Sequence, residues 1–122
     1  MGQRVTVTVL DGGMGRELMR IGAPFRQPEW SALALLEGSP WVVQAHRNFI
    51  AAGAQVITTN AYAVVPFHLG EERFDADGHR LAALAGGLAR EAAGPHPSIT
   101  VAGSLPPLFG SYLPERFDAA QA

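Results

Sequence analysis

Three places in this 122-residue chain set polar or backbone-accessible residues directly after a run rich in β-branched residues: Asp11-Gly12-Gly13, Asn60-Ala61-Tyr62 and Gly103-Ser104-Leu105. Asp11 offers a carboxylate to a cationic group, and Gly12 and Gly13 let a ligand reach backbone N–H groups with no side chain in the way. The same residues also suit a tight turn in which Asp11 caps the next helix, and spacing alone leaves both readings open. Asn60 and Tyr62 can present an amide and a phenol to a polar ligand, although a tyrosine after a buried strand is as often a core residue with its hydroxyl at the edge. Gly13-Met14-Gly15 invites comparison with a dinucleotide-binding loop. The third small position of that pattern is Leu18, whose bulk would hold the helix off the strand, so a nucleotide-binding module is the weakest reading.

The four histidines, His46, His68, His79 and His96, show no metal-ligand spacing with one another or with a carboxylate. His46 lies on the apolar stripe of its helix and reads as a hydrogen-bonded core or boundary histidine. The other three fall in loops or at helix ends, and Glu71-Glu72 reads as a solvated loop tip. With no cysteine in the chain, disulfides, cysteine-containing zinc sites and thiol nucleophiles are excluded within it. Neither a catalytic residue nor a metal ligand is assigned from the sequence.

The elements that must position these residues follow from periodicity and punctuation. Residues 5–10 are β-branched at nearly every position and stop at Asp11-Gly12-Gly13, which predicts a first strand. A short helix is expected from Met14 to Ile21, closed by Gly22. An irregular segment with a short helix inside residues 30–37 follows. Ser39-Pro40 opens a helix over residues 39–52, and residues 55–59 restart as a second strand. Residues 66–78 read as a turn-rich loop, residues 79–93 as an amphipathic helix, residues 98–102 as a third strand, and residues 114–122 as the opening of a further helix. Strands alternating with helices give an α/β fold with a parallel sheet, its ligand-facing residues just past the carboxyl ends of the strands.

Composition narrows the classes of partner. Hydrophobic residues make up 48% of the chain and charged residues 16%, with a net charge of -2, as in a globular domain. All nine basic residues are arginines scattered from Arg4 to Arg116, so the footprint of a nucleic-acid or acidic-membrane binder is missing. The opening residues are too short and too regularly polar for a signal peptide or membrane span, which makes the cytoplasm the default expectation.

Several motifs in order are more specific than any one of them. Residues 10–18 (Leu10-Asp11-Gly12-Gly13-Met14-Gly15-Arg16-Glu17-Leu18), Pro28-Glu29-Trp30-Ser31-Ala32, His46, residues 52–62 ending in Asn60-Ala61-Tyr62, and residues 101–107 together resemble the homocysteine S-methyltransferase family. The resemblance runs from about residue 8 to residue 118. It implies a (β/α)₈ barrel in which three cysteine thiolates hold a zinc ion that activates the thiol of homocysteine. That thiolate then attacks the methyl group of a donor such as S-methylmethionine or betaine. By resemblance, Asp11 holds the substrate ammonium, Gly12 and Gly13 lie close against the amino acid, and Asn60 and Tyr62 line the same pocket. Trp30 matches a position near the site, where a packing role is equally consistent.

A closed barrel takes roughly 250 residues. The whole of residues 1–122 is therefore expected to be an incomplete homocysteine-binding domain, the N-terminal portion of a partial barrel with about three βα units. The implied zinc thiolates lie outside it, so the chain is expected to be inactive alone. The alternative is a non-catalytic binding or assembly half, completed by another chain carrying the cysteines. Unpaired strands at both sheet edges would favour self-association or a complementary C-terminal half.

Overall fold

The computed structural model describes residues 2–122 and is a mixed α/β arrangement with a small parallel sheet at its centre. In chain order it comprises α1 (Met14–Ile21), α2 (Ala32–Glu37), α3 (Ser39–Ala51), β1 (Val56–Thr58), α4 (Pro66–Leu69), α5 (Glu71–Ala93) and β2 (Thr100–Ala102), followed by a 3₁₀ turn at Pro114–Arg116.

β1 and β2 pair in parallel, Ile57 opposite Val101, with the long helix α5 in the connection between them. On the other side of β1 the expected first strand is reduced to a single parallel bridge between Leu10 and Val56. The Gln55 and Val56 amides both reach the Val9 carbonyl, and the Asp11 amide donates to Val56 O at 3.0 Å. Residues 5–8 form no ladder, and Val5 and Val7 are 85% and 71% exposed. A β-branched run becomes a strand only where a neighbouring backbone and a covering layer receive it, and here only its last residues meet one. The expected three-stranded sheet is thus two strands plus a bridge, in the expected parallel order.

Two further expectations are corrected. Residues 66–78 are helical rather than a loop: α4 is a single turn, and after Gly70 (φ 83°) α5 begins at Glu71, eight residues before the expected start. Glu71 and Glu72 occupy its first turn, where carboxylates favour a helix N-terminus. Gly78, expected at the end of that loop, sits buried inside the helix, and the Phe74 ring one turn earlier lies 3.0 Å from where a Cβ would stand. Residues 114–122 hold the 3₁₀ turn and no longer helix.

The core forms where α3 packs on α5 and both lie against the sheet. Val42 and Ala45 of α3, Ile57 of β1, and Leu81, Ala85 and Ala89 of α5 are fully buried. Alanines along α5 let α3 approach closely, which places the carboxyl end of β1 beside the loop that enters α1.

Candidate functional site

α1 is held by its neighbours rather than by its own eight residues, which are too few for an isolated helix in water. Gly22 closes it in the left-handed conformation (φ 84°), its N–H reaching the Leu18 and Met19 carbonyls. A polar chain then clamps α1 to α3. Gln44 Nε2 donates to Asn48 Oδ1 at 2.7 Å, Asn48 Nδ2 donates to Glu17 Oε1 at 2.8 Å, and both Glu17 oxygens accept from Arg20. Those bonds, Arg20 first and Asn48 second, hold the Glu17 carboxyl down to about 2. The clamp orients the three residues that enter α1, Asp11, Gly12 and Gly13.

Asp11 is tied to the end of β1: its Oδ2 accepts from the Thr58 amide at 2.7 Å and its Oδ1 from the Thr58 hydroxyl at 3.3 Å. Asp11 does not cap α1, because α1 begins after Gly13 with no side-chain cap bond. Gly12 lies under the Phe49 ring of α3, whose Cε1 is 3.0 Å from where a Cβ would be, so glycine at this position keeps the loop close to the helix. Thr59 Oγ1 accepts from the Ser104 amide at 3.0 Å, and Asn60, 3% exposed, donates from Nδ2 to Ser31 O at 2.9 Å. The ends of the first segment, β1 and β2 and the Ser31 loop are therefore laced together by side-chain-to-backbone bonds.

The result is a cavity of about 570 Å³ at the carboxyl end of the sheet. It is lined by all five residues expected from the sequence, Asp11, Gly12, Gly13, Asn60 and Tyr62. Ser104, from the third expected place, also lines it, as does Trp30. Sequence reasoning passed over Thr58 and Thr59, which strand-end position signals, and Arg16, the one basic residue in the lining. It also missed Phe25 and Tyr112, which no local pattern marks. The cavity carries a carboxylate and a guanidinium among neutral polar and aromatic groups, which suits a small zwitterion.

Trp30 and Tyr112 supply aromatic faces with ring centroids 6.3 Å apart. Both hold left-handed backbone, at φ 51° and 62°, a conformation that costs a non-glycine residue of the order of 1–3 kcal/mol. His68, expected in a loop, is buried on α4 between the Pro28 carbonyl and the Ser111 hydroxyl, at 2.9 and 2.8 Å. His46 is fully buried, as expected of a core histidine, but both ring nitrogens lack a hydrogen-bond partner, so the expected hydrogen bond is not formed. Burial lowers its pKa, partly opposed by the Asp11 carboxylate. Among the described residues no three His, Cys, Asp or Glu side chains come together as a metal site. No helix among them is long and apolar enough to cross a membrane.

The homocysteine S-methyltransferase family model matches residues 8–121. A selenocysteine methyltransferase of Astragalus bisulcatus is 35% identical over 85 residues, 69% of this chain and 25% of that protein. Homocysteine S-methyltransferase 3 of Zea mays is 41% identical over 54 residues, 44% of this chain and 16% of that protein. Homocysteine S-methyltransferase 1 of Arabidopsis thaliana is 34% identical over 59 residues, 48% of this chain and 18% of that protein. The chain spans about a quarter or less of the length of these relatives. No solved structure matches it. With the match running through every strand-end loop that lines the cavity, the chain belongs to the homocysteine S-methyltransferase family.

Proposed function

We propose that this chain binds the amino-acid end of homocysteine for a methyl-transfer reaction that gives methionine. The observation that carries this reading is the convergence of Asp11, Gly12, Gly13, Asn60 and Tyr62 on one cavity at the carboxyl end of a parallel sheet. Asp11 is the partner for the substrate ammonium, and Arg16 stands in the same lining as the partner for its carboxylate. Asn60 and Tyr62 supply further polar contacts. The parallel order and the helical connections support placing these elements in a (β/α)₈ barrel, whose sites occupy that end.

The zinc ion that the family implies does not fit the residues present. The chain has no cysteine, and the described His, Asp and Glu side chains form no substitute cluster. Its own groups bind and orient the amino acid; the methyl group would pass from a donor such as S-methylmethionine or betaine, whose C–S or C–N bond breaks to leave a neutral sulfide or tertiary amine, to the homocysteine sulfur, with the thiol proton going to solvent. Calorimetric titration with homocysteine tests the binding. Asp11→Asn is expected to weaken it at least tenfold, about 1.4 kcal/mol, and equal binding by both proteins would overturn the reading. The chain alone, given zinc, homocysteine and S-methylmethionine, is expected to form no methionine above the no-protein control. Methionine that disappears in Asp11→Ala would overturn that expectation.

A second reading, an assembly half completed by another chain, is favoured by the exposed Val5, Val7 and Leu10 of the segment whose end bridges β1, and by the exposed Leu105 and Phe117 that follow β2 in the chain. Apolar edges of this kind recruit a further strand or a second copy. Val5→Thr with Val7→Thr is expected to reduce association in sedimentation experiments at little cost in stability. Unchanged association would dismiss that segment as the contact.

A further inference from the structure

The rings of Trp30 and Tyr112 reach the cavity from segments 82 residues apart in number, each on unfavourable left-handed backbone. Such conformations persist only where surrounding bonds hold them. Phe109 (φ 67°) and Gly110 (φ 136°) extend the unusual backbone up to Ser111, so little in that segment's own geometry fixes Tyr112, a residue 78% exposed.

One buried side chain is bonded to both segments. His68 is 3% exposed, and its two ring nitrogens face the Pro28 carbonyl at 2.9 Å and the Ser111 hydroxyl at 2.8 Å. A carbonyl can only accept, so Nδ1 carries a proton toward Pro28, and in the neutral ring Nε2 accepts from the Ser111 hydroxyl. Pro28 stands two residues before Trp30, and Ser111 immediately before Tyr112. The imidazole lies 5.4 Å from the Trp30 ring and is backed edge-on by Phe67 at 5.0 Å. Its helix, α4, follows directly from the β1 strand-end loop that carries Asn60 and Tyr62, with the His68 amide donating to Val65 O.

We propose that His68 is a positioning residue that latches the Trp30 and Tyr112 segments together, making the aromatic wall of the Asp11 cavity. The latch stands on these contacts alone; that the wall it builds faces homocysteine rests on the proposed function. A histidine that only filled the core beside the Trp30 ring would alter Trp30 emission equally when replaced by Ala or by Asn, and would leave the affinity of the cavity as it was.

The test uses the whole chain with Trp41→Phe, so that Trp30 is the sole indole. His68→Ala is expected to shift Trp30 emission to the red and to increase its quenching by acrylamide at temperatures where far-UV circular dichroism shows the chain folded. His68→Asn, whose amide can still donate to Pro28 O, is expected to restore the parental emission. Equal emission and quenching in His68→Ala and His68→Asn would overturn the latch. Ser111→Ala guards against a variant that does not fold, because it keeps the imidazole and removes only the Tyr112 leg. It is expected to weaken homocysteine binding about tenfold, and unchanged affinity would overturn that leg. If the parental chain binds no homocysteine, the proposed function fails, and the emission arm still decides the latch.

Discussion

The Asp11 carboxylate is bonded to Thr58 through both oxygens, to the backbone amide at 2.7 Å and to the hydroxyl at 3.3 Å. The group read as the ammonium partner is therefore also the acceptor that satisfies the last amide of β1 and orients the loop into α1.

That double duty separates two substitutions at one position. Asp11→Ala leaves the Thr58 amide without its acceptor and is expected to cost about 1–3 kcal/mol in urea denaturation. Asp11→Asn keeps a carbonyl acceptor and should lose less than about 1 kcal/mol, although it weakens homocysteine binding as strongly. Equal destabilisation by both would show that the Thr58 bond contributes nothing that the charge does not.

Gly15 reports on the wall of the cavity through space. A Cβ there would stand 2.9 Å from Phe25 Cε2, and Phe25 lines the cavity. Gly15→Ala improves helix propensity by up to about 1 kcal/mol, so stability should change little while the ring is displaced. A severalfold loss of homocysteine affinity with an unchanged denaturation midpoint is the expected result. Retained affinity would place the Phe25 ring outside the bound ligand's reach.

His46 sets a pH slope. Burial lowers its pKa in the folded chain, so between the ordinary value of 6.5 and the lowered one the unfolded chain binds the extra proton. Its contribution to stability is present above pH 6.5 and is lost as pH falls through that window to the folded value. His46→Leu removes the titration along with the two unpartnered ring nitrogens. The variant's denaturation midpoint is expected to fall less than the parent's on acidification from pH 7 to pH 5, and parallel curves would overturn the assignment.

Glu17 acts in a more acidic window. Its carboxyl is held at about 2 by Arg20 and Asn48, so its contribution is present above its ordinary value of 4.5 and is lost as pH falls toward 2. Glu17→Gln should flatten the stability profile between those values. Arg20 is largely exposed, so added salt should shrink the part that Arg20→Gln removes more than the part that Asn48→Ala removes. Equal salt sensitivity of the two would argue against a solvent-screened ion pair beside a neutral clamp.

Much of the site was legible because the relevant rules are local. Ser39-Pro40 and Gly22 mark helix ends through backbone geometry that any context preserves, and the observed helices begin and end there. Asp11, Asn60 and Ser104 follow runs rich in β-branched residues, and a parallel crossover order brings such strand ends to one side whatever the packing, as their shared cavity shows. Family membership was legible for the same reason, since its motifs sit in those loops.

The chain alone determined the closing glycine of α1, the start of α3 near Ser39-Pro40, the parallel β-α order and the residue types at the strand ends, because each depends on a few neighbouring residues. Only the tertiary structure decided that residues 5–8 form no strand, since a ladder requires a partner backbone. It also decided that Gly78 lies inside α5, where the helix is buried against its neighbours. The same holds for His68, whose bonds to Pro28 and Ser111 span 40 and 43 residues. Hydrogen bonds between such distant residues require the folded chain to bring the loops together, so no local pattern encodes them.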